Sequence, residues 1–126
     1  MFMSVEQLSE LATCELIEIG SHSITHPLLA QLTPERQAHE IRGSKKALEE
    51  IVARTVVSFA YPYGSKHTAY SDSTVREVIA AGFSSACTGT PGTARYGANK
   101  YELPRDVVLD WDGDEFSKRL RWWLIR

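Results

Sequence analysis

Apolar residues recur along this chain in two rhythms, and the switches between them lay out its elements. Leu8, Leu11 and Ala12 fall at helical intervals behind Ser4 and Gln7, which have capping-box spacing, so a short first helix is predicted. A compact run from Leu16 to Ile19, closed by Gly20, predicts a strand that delivers Ser21 onward into a loop at its carboxyl end. Thr33 then Pro34 joins a capping hydroxyl to a proline suited to the first turn, and Ala38, Ile41, Leu48, Ile51 and Val52 supply one apolar face of a second helix. Val56 to Ala60, β-branched and aromatic, is the next strand, and Tyr61-Pro62-Tyr63-Gly64 is a turn or loop. Ser71 or Asp72 caps a third helix carrying Val75, Val78 and Ile79, Gly82 stops it, and Phe83 to Cys87 forms a third strand. Thr88 to Asn99, rich in Gly, Thr and Ala, is a long loop. Val107 to Leu109 then reads as a short strand, and Asp112 or Asp114 caps a last helix with Phe116, Leu120, Trp123 and Leu124 as its buried stripe. Helix and strand alternate throughout, the pattern of a parallel sheet with crossover helices, so the class is α/β. With no internal repeat or linker, the 126 residues are expected to form one core.

Composition narrows the function classes. Fourteen basic residues against sixteen acidic ones give a formal charge of -2, which argues against nucleic acid as a partner, since phosphate binding rests on clustered Lys and Arg. The one basic cluster, Lys118, Arg119, Arg121 and Arg126, lies beside apolar residues and suits the outer face of a helix. No segment approaches the ~18 apolar residues of a membrane span. Met1 to Gln7 lacks a basic region followed by an apolar one, so no signal peptide is expected and the chain as written would stay in the cytoplasm. An extracytoplasmic location is the expectation if an upstream segment carries an export signal. Cys14 and Cys87 make neither a disulfide framework nor a metal-type spacing, and buried free thiols are expected.

Candidate chemistry centres on His22 and His26, one helical turn apart in Gly20-Ser21-His22-Ser23-Ile24-Thr25-His26-Pro27, directly after a predicted strand. Two imidazoles so spaced suit one divalent ion of the first transition row. The plainer alternative is a pair of loop histidines bonded to backbone or solvent. His39, among helix polar residues, and His67, beside Lys66, read as solvated bystanders.

Three segments in order, Glu18 to Leu32, Phe59 to Gly64 and Leu103-Pro104-Arg105, make the chain resemble the C-terminal portion of polysaccharide deacetylases of the NodB-homology type, carbohydrate esterase family four. The resemblance implies one deacetylase domain over residues 1–126, N-terminally truncated, and a distorted β/α barrel left open by missing strands. It implies metal-dependent hydrolysis of N-acetyl or O-acetyl groups on a polysaccharide or oligosaccharide. His22 and His26 match metal ligands, for zinc first and cobalt, nickel or manganese as alternatives. Tyr63 matches the residue whose backbone N–H holds the oxyanion, with Tyr61, Pro62, Tyr63 and Arg105 toward the substrate. Pro62 fixes that N–H in one orientation. The family's Thr-Phe-Asp-Asp motif, source of the base and a third ligand, has no counterpart among the residues before His22, which include no aspartate. Ala60 stands where many members carry arginine, and no histidine follows His67.

Glu18 and Asp110 are the substitutes for the base, although strand alternation turns Glu18 away from the loop and Asp110 better suits the start of the last helix, with Trp111 in the core. A surface ion pair is the plainer reading of Arg105. Open sheet edges invite pairing, so a homodimer, or a partner polypeptide carrying the missing strands, is expected. The alternative function is a catalytically inactive remnant that binds carbohydrate through Tyr61, Tyr63 and Trp111, or serves in assembly.

Overall fold

In a computed structural model residues 3–125 are described, and each predicted helix is present. Helix α1 spans Val5–Ala12, α2 Pro34–Val52, α3 Asp72–Ala80 and α4 Gly113–Ile125, with a single 3₁₀ turn at Leu29–Gln31. Their starts are local chemistry. Ser4 Oγ accepts from the Gln7 amide at 3.2 Å while Gln7 Oε1 accepts from the Ser4 amide at 2.8 Å. Thr33 Oγ1 caps α2 through the Arg36 amide, Thr74 Oγ1 takes the Ser71 amide before α3, and Asp112 Oδ1 takes the Glu115 amide at α4. Gly82, at φ +77°, follows α3 as predicted, whereas α2 ends on Ala53 at φ +53°, a left-handed position that costs a residue with a Cβ about 1–2 kcal/mol.

Strand β1, Ser58–Ala60, pairs in parallel with β2, Ser85–Cys87, in the register Ser58 to Ser85 and Ala60 to Cys87. Single parallel bridges extend this sheet on both sides, Ser21 to Phe59 and Leu103 to Cys87. The lateral order of the four segments is therefore their order in the chain, with α2 and α3 making two of the crossovers. The strands predicted at Leu16–Ile19 and Val107–Leu109 do not form. Leu16 is 95% exposed and Val107, Val108 and Leu109 are all exposed. At the first of these the backbone is spent elsewhere: the Ile17 amide turns back to the Cys14 carbonyl, and Arg54 Nη2 donates to the Ile17 carbonyl at 2.9 Å.

The core lies between the sheet and the helix pair α2 and α3: Leu29, Ile41, Val56, Phe59, Tyr61, Tyr70, Val78, Phe83 and Ala86. Its centre is aromatic, with Tyr61 stacked on Tyr70 at 4.1 Å and Phe59 between Tyr61 and Phe83 at 5.4 and 5.3 Å. Helix α4 stands off this core, and among its described residues none is buried. The stripe expected there is exposed at Phe116, Leu120 and Leu124, and only Trp123 is half-covered, against Trp111 at 6.1 Å. Trp111 itself sits under the Arg119 guanidinium outside the core. The thiols also depart from expectation: Cys14 is exposed and Cys87 partly so. Among the described residues no helix is long and apolar enough to cross a membrane.

Candidate active site

Because the four sheet segments are parallel, whatever follows each of them leaves at one edge. His22 follows Ser21, Tyr61 to Gly64 follow β1, Thr88 and Gly89 follow β2, and Arg105 follows Leu103. This carboxyl edge is where open parallel folds gather their chemistry.

His22 and His26 come together there, ring centroids 4.8 Å apart with planes at 68°. His22 Nδ1 lies 2.7 Å from the Ala60 carbonyl oxygen. A carbonyl only accepts, so Nδ1 carries a proton, and in the neutral ring the lone pair is then on Nε2, the arrangement of an imidazole that ligates a metal. The loop between the two histidines is bent sharply, with Ser23 at φ +66° and His26 at φ +58°, and the His26 amide donates to Ser23 Oγ. Two left-handed residues with a Cβ in one short loop mark strain of the kind held at functional sites.

The Tyr61–Gly64 turn makes the second wall. Tyr63 is 62% exposed and its ring meets His26 edge-on at 4.6 Å. Tyr63 and Gly64 are both left-handed, at φ +59° and +68°, and the Gly64 amide closes a tight turn onto the Pro62 carbonyl at 2.7 Å. The Gly64 carbonyl accepts from Gly89, so the loops after β1 and β2 are tied directly. Among the described residues the Tyr63 amide has no hydrogen-bond acceptor.

The other residues read from the sequence are dispersed. Tyr61 is 0% exposed, and its hydroxyl donates to the Tyr101 carbonyl at 2.9 Å. Burial first, then the nearby Tyr70 and Glu102, raise its pKa beyond the ordinary phenol range, so the hydroxyl stays protonated and donating. Tyr61 is therefore a core residue, and Pro62 is buried beside it. Arg105 is exposed at the shared edge, its amide bonded to the Thr90 carbonyl. Glu18 lines a surface depression with Arg54, Thr55 and Val57, at the opposite end of β1 from the histidines. Among the described residues no third His, Cys, Asp or Glu joins His22 and His26, which leaves Asp110 outside the pair's reach as well.

One residue of the site escaped sequence reasoning. Glu40 of α2 is only 8% exposed, and its carboxylate accepts from the amides of Ile24 and Thr25 at 2.8 and 2.9 Å and from the Thr25 hydroxyl at 2.7 Å. Burial raises its pKa, but these three donors outweigh the burial and hold the carboxyl below its ordinary range. A signal was present: Gln37, Glu40 and Ser44 share the helical face of Ile41, and polar residues on an apolar face ask for partners.

The fold and site have counterparts among known proteins. A family model described as polysaccharide deacetylase matches residues 3–86. The chain belongs to the polysaccharide deacetylase family. A putative polysaccharide deacetylase of Bacillus subtilis (strain 168), YxkH, is 31% identical over 103 residues, which span 82% of this chain and 35% of the relative. Among solved structures, Streptococcus pyogenes deacetylase PplD in complex with acetate superposes with a TM-score of 0.81 at 22% identity, over 92% of this chain and 50% of that one. A polysaccharide deacetylase from Bacillus cereus gives 0.78 at 24% identity, over 92% of this chain and 36% of that one. At these identities the structural likeness speaks to the fold. The chain thus spans between about a third and half of the length of these relatives.

Proposed function

We propose that this chain contributes the histidine pair and the oxyanion loop of a metal-dependent hydrolase that removes N-acetyl, or O-acetyl, groups from a polysaccharide or oligosaccharide. The observation that carries the proposal is the Ala60 carbonyl on His22 Nδ1, which makes Nε2 the lone-pair nitrogen of the neutral ring, beside a second imidazole. Imidazole suits zinc foremost and cobalt, nickel or manganese as alternatives, and His22 and His26 would hold such an ion. What the ion supplies when bound is Lewis acidity toward an acetyl carbonyl and a more acidic water. The remaining work falls to the chain. The uncommitted Tyr63 amide would donate to the oxygen as it gains charge, the Tyr63 ring would border the acetyl group, and Arg105 would meet a sugar at the rim.

The carboxylate base and a further ligand are assigned to polypeptide outside the described residues, since no third ligand stands by the pair within them. Four parallel segments ordered as in the chain are what an arc of a β/α barrel contains, and this chain would be such an arc. Its flanks at Ser21 and Leu103 and the exposed apolar residues of α4 supply a surface for a second copy or for a partner chain completing the barrel. Light scattering on dilute protein is expected to give more than a monomer, and a well-folded monomer would count against this assembly.

The test of function is zinc titration by calorimetry on the wild type and on His22→Ala/His26→Ala. Zinc uptake by the wild type that the double variant loses, with acetate released from an N-acetylated amino-sugar oligosaccharide once the base-bearing polypeptide is present, is the expected result. Wild-type uptake no tighter than that of the double variant would remove the metal centre from this reading.

A further inference from the structure

We infer that Glu40 is a positioning residue for the histidine pair, pinning the Ser21–His26 loop to helix α2 and thereby fixing where both imidazoles stand. The inference rests on the reading of His22 and His26 as metal ligands and concerns what holds them.

The loop has little structure of its own. Ser21 is tied to β1 by the Ser21 amide on the Ser58 carbonyl and the Ala60 amide on the Ser21 carbonyl, and the 3₁₀ turn begins only at Leu29. Between them the chain holds two left-handed residues, Ser23 and His26, against conformations that relax readily to ordinary values. Glu40 supplies the missing hold, because both of its oxygens are committed to the loop: Oε2 to the two successive amides of Ile24 and Thr25, Oε1 to the Thr25 hydroxyl. Bonds to an ionised acceptor are shorter and stronger than neutral ones, and these lie at 2.7–2.9 Å. The rest of this helical face is cut to the same loop. Ser44 Oγ meets Ser21 Oγ at 2.6 Å, and Gly43 leaves room for Ile24, whose Cδ1 would lie 2.6 Å from a Cβ at that position. Helix α2 thus grips residues 21, 24 and 25 and leaves the two histidines between and beyond them to face other partners.

A carboxylate that merely satisfied buried amides would look similar, and the same helix offers one for comparison. Glu49 Oε1 accepts from the Val56 amide at 3.0 Å, bracing the approach to β1 away from the histidine loop. The experiment sets Glu40→Gln against Glu49→Gln. Glutamine keeps the size of the side chain but removes its charge and leaves one acceptor oxygen, so in Glu40→Gln the two amide bonds lose their ionic strength and the Thr25 hydroxyl must turn to accept from the new NH2 group.

Long-range proton–nitrogen spectra of the metal-free protein are expected to show His22 protonated on Nδ1 in the wild type and in Glu49→Gln, and averaged between tautomers in Glu40→Gln. Zinc titration is expected to show affinity falling about 10- to 100-fold in Glu40→Gln only, the range seen for residues that orient metal ligands. An unchanged His22 tautomer with zinc affinity within about twofold of wild type would overturn the inference while leaving the metal reading intact. Absence of zinc uptake by the wild type would instead remove the metal reading, and the ring spectra of Glu40→Gln would then decide the positioning role alone. Should Glu40→Gln not fold, Thr25→Val removes the hydroxyl bond only and carries the same expectations at a few-fold magnitude, and unchanged spectra and affinity there would equally overturn the inference.

Discussion

Gly64→Ala is expected to cost about 3–4 kcal/mol of folding stability, combining the left-handed penalty with the strain of overpacking, and to dismantle the site in the same step. Gly64 lies at φ +68°, and a Cβ there would run into the backbone nitrogen of Gly89 and lie 3.0 Å from the Thr88 carbonyl carbon. None of these is the free end of a side chain, so relief requires the two loops to part. The bond from the Gly89 amide to the Gly64 carbonyl goes with that movement, and Tyr63, one residue before, loses the geometry that sets its ring against His26. The comparison that isolates the steric part is Gly97→Ala. Gly97 lies at φ +81° with nothing within 4 Å of the new Cβ, so it should suffer only the left-handed penalty of about 1–2 kcal/mol. Urea unfolding of the two variants measures the difference. Equal losses would mean that the close approach of the two loops matters little.

That crossing of loops marks the boundary of what the sequence could tell. Helix starts were legible because a cap is settled within four residues: Ser4 with Gln7, Thr33 before Pro34, Asp112 before α4. The histidine pair was legible for the same reason, as spacing is local. Its tautomer was not, because the carbonyl that decides it belongs to Ala60, 38 positions away. Apolar runs misled wherever the question was whether a neighbour exists. Leu16–Ile19 and Val107–Leu109 have strand composition, yet the sheet is bridged at Ser21 and Leu103 instead. The α4 stripe failed likewise: Leu120 and Leu124 have the right periodicity, but no described element covers them. Periodicity reports which face is apolar and is silent on whether anything meets it. Glu40 was overlooked for the converse reason, since a glutamate on a long helix is ordinarily solvated, and only the loop laid across it turns it into an anchor.

The two tyrosines of the turn after β1, two residues apart, should respond in opposite ways, and that contrast tests how the turn divides structure from chemistry. Tyr61→Ala is expected to lose about 3–5 kcal/mol, the usual cost of emptying an aromatic site in a core. The ring is stacked on Tyr70, packed edge-on against Phe59 and wholly buried. Tyr61→Phe should lose about 1 kcal/mol or somewhat more, because the Tyr101 carbonyl then gives up its hydroxyl donor. Tyr63→Ala should leave stability within about 1 kcal/mol of wild type, its ring being largely in solvent, and Tyr63→Gly should raise stability by about 1 kcal/mol as the left-handed strain at φ +59° is released. The functional readouts should run the other way. Under the proposed function, Tyr63→Gly frees the rotation of the amide that would meet the oxyanion, so acetate release should fall although the fold has gained stability, a trade expected where strain serves a site. Thermal melts paired with acetate release separate the outcomes. A Tyr63→Gly protein that is more stable and equally active would free the turn of any catalytic part. A Tyr61→Ala protein as stable as wild type but impaired toward the sugar would return Tyr61 from the core to the substrate.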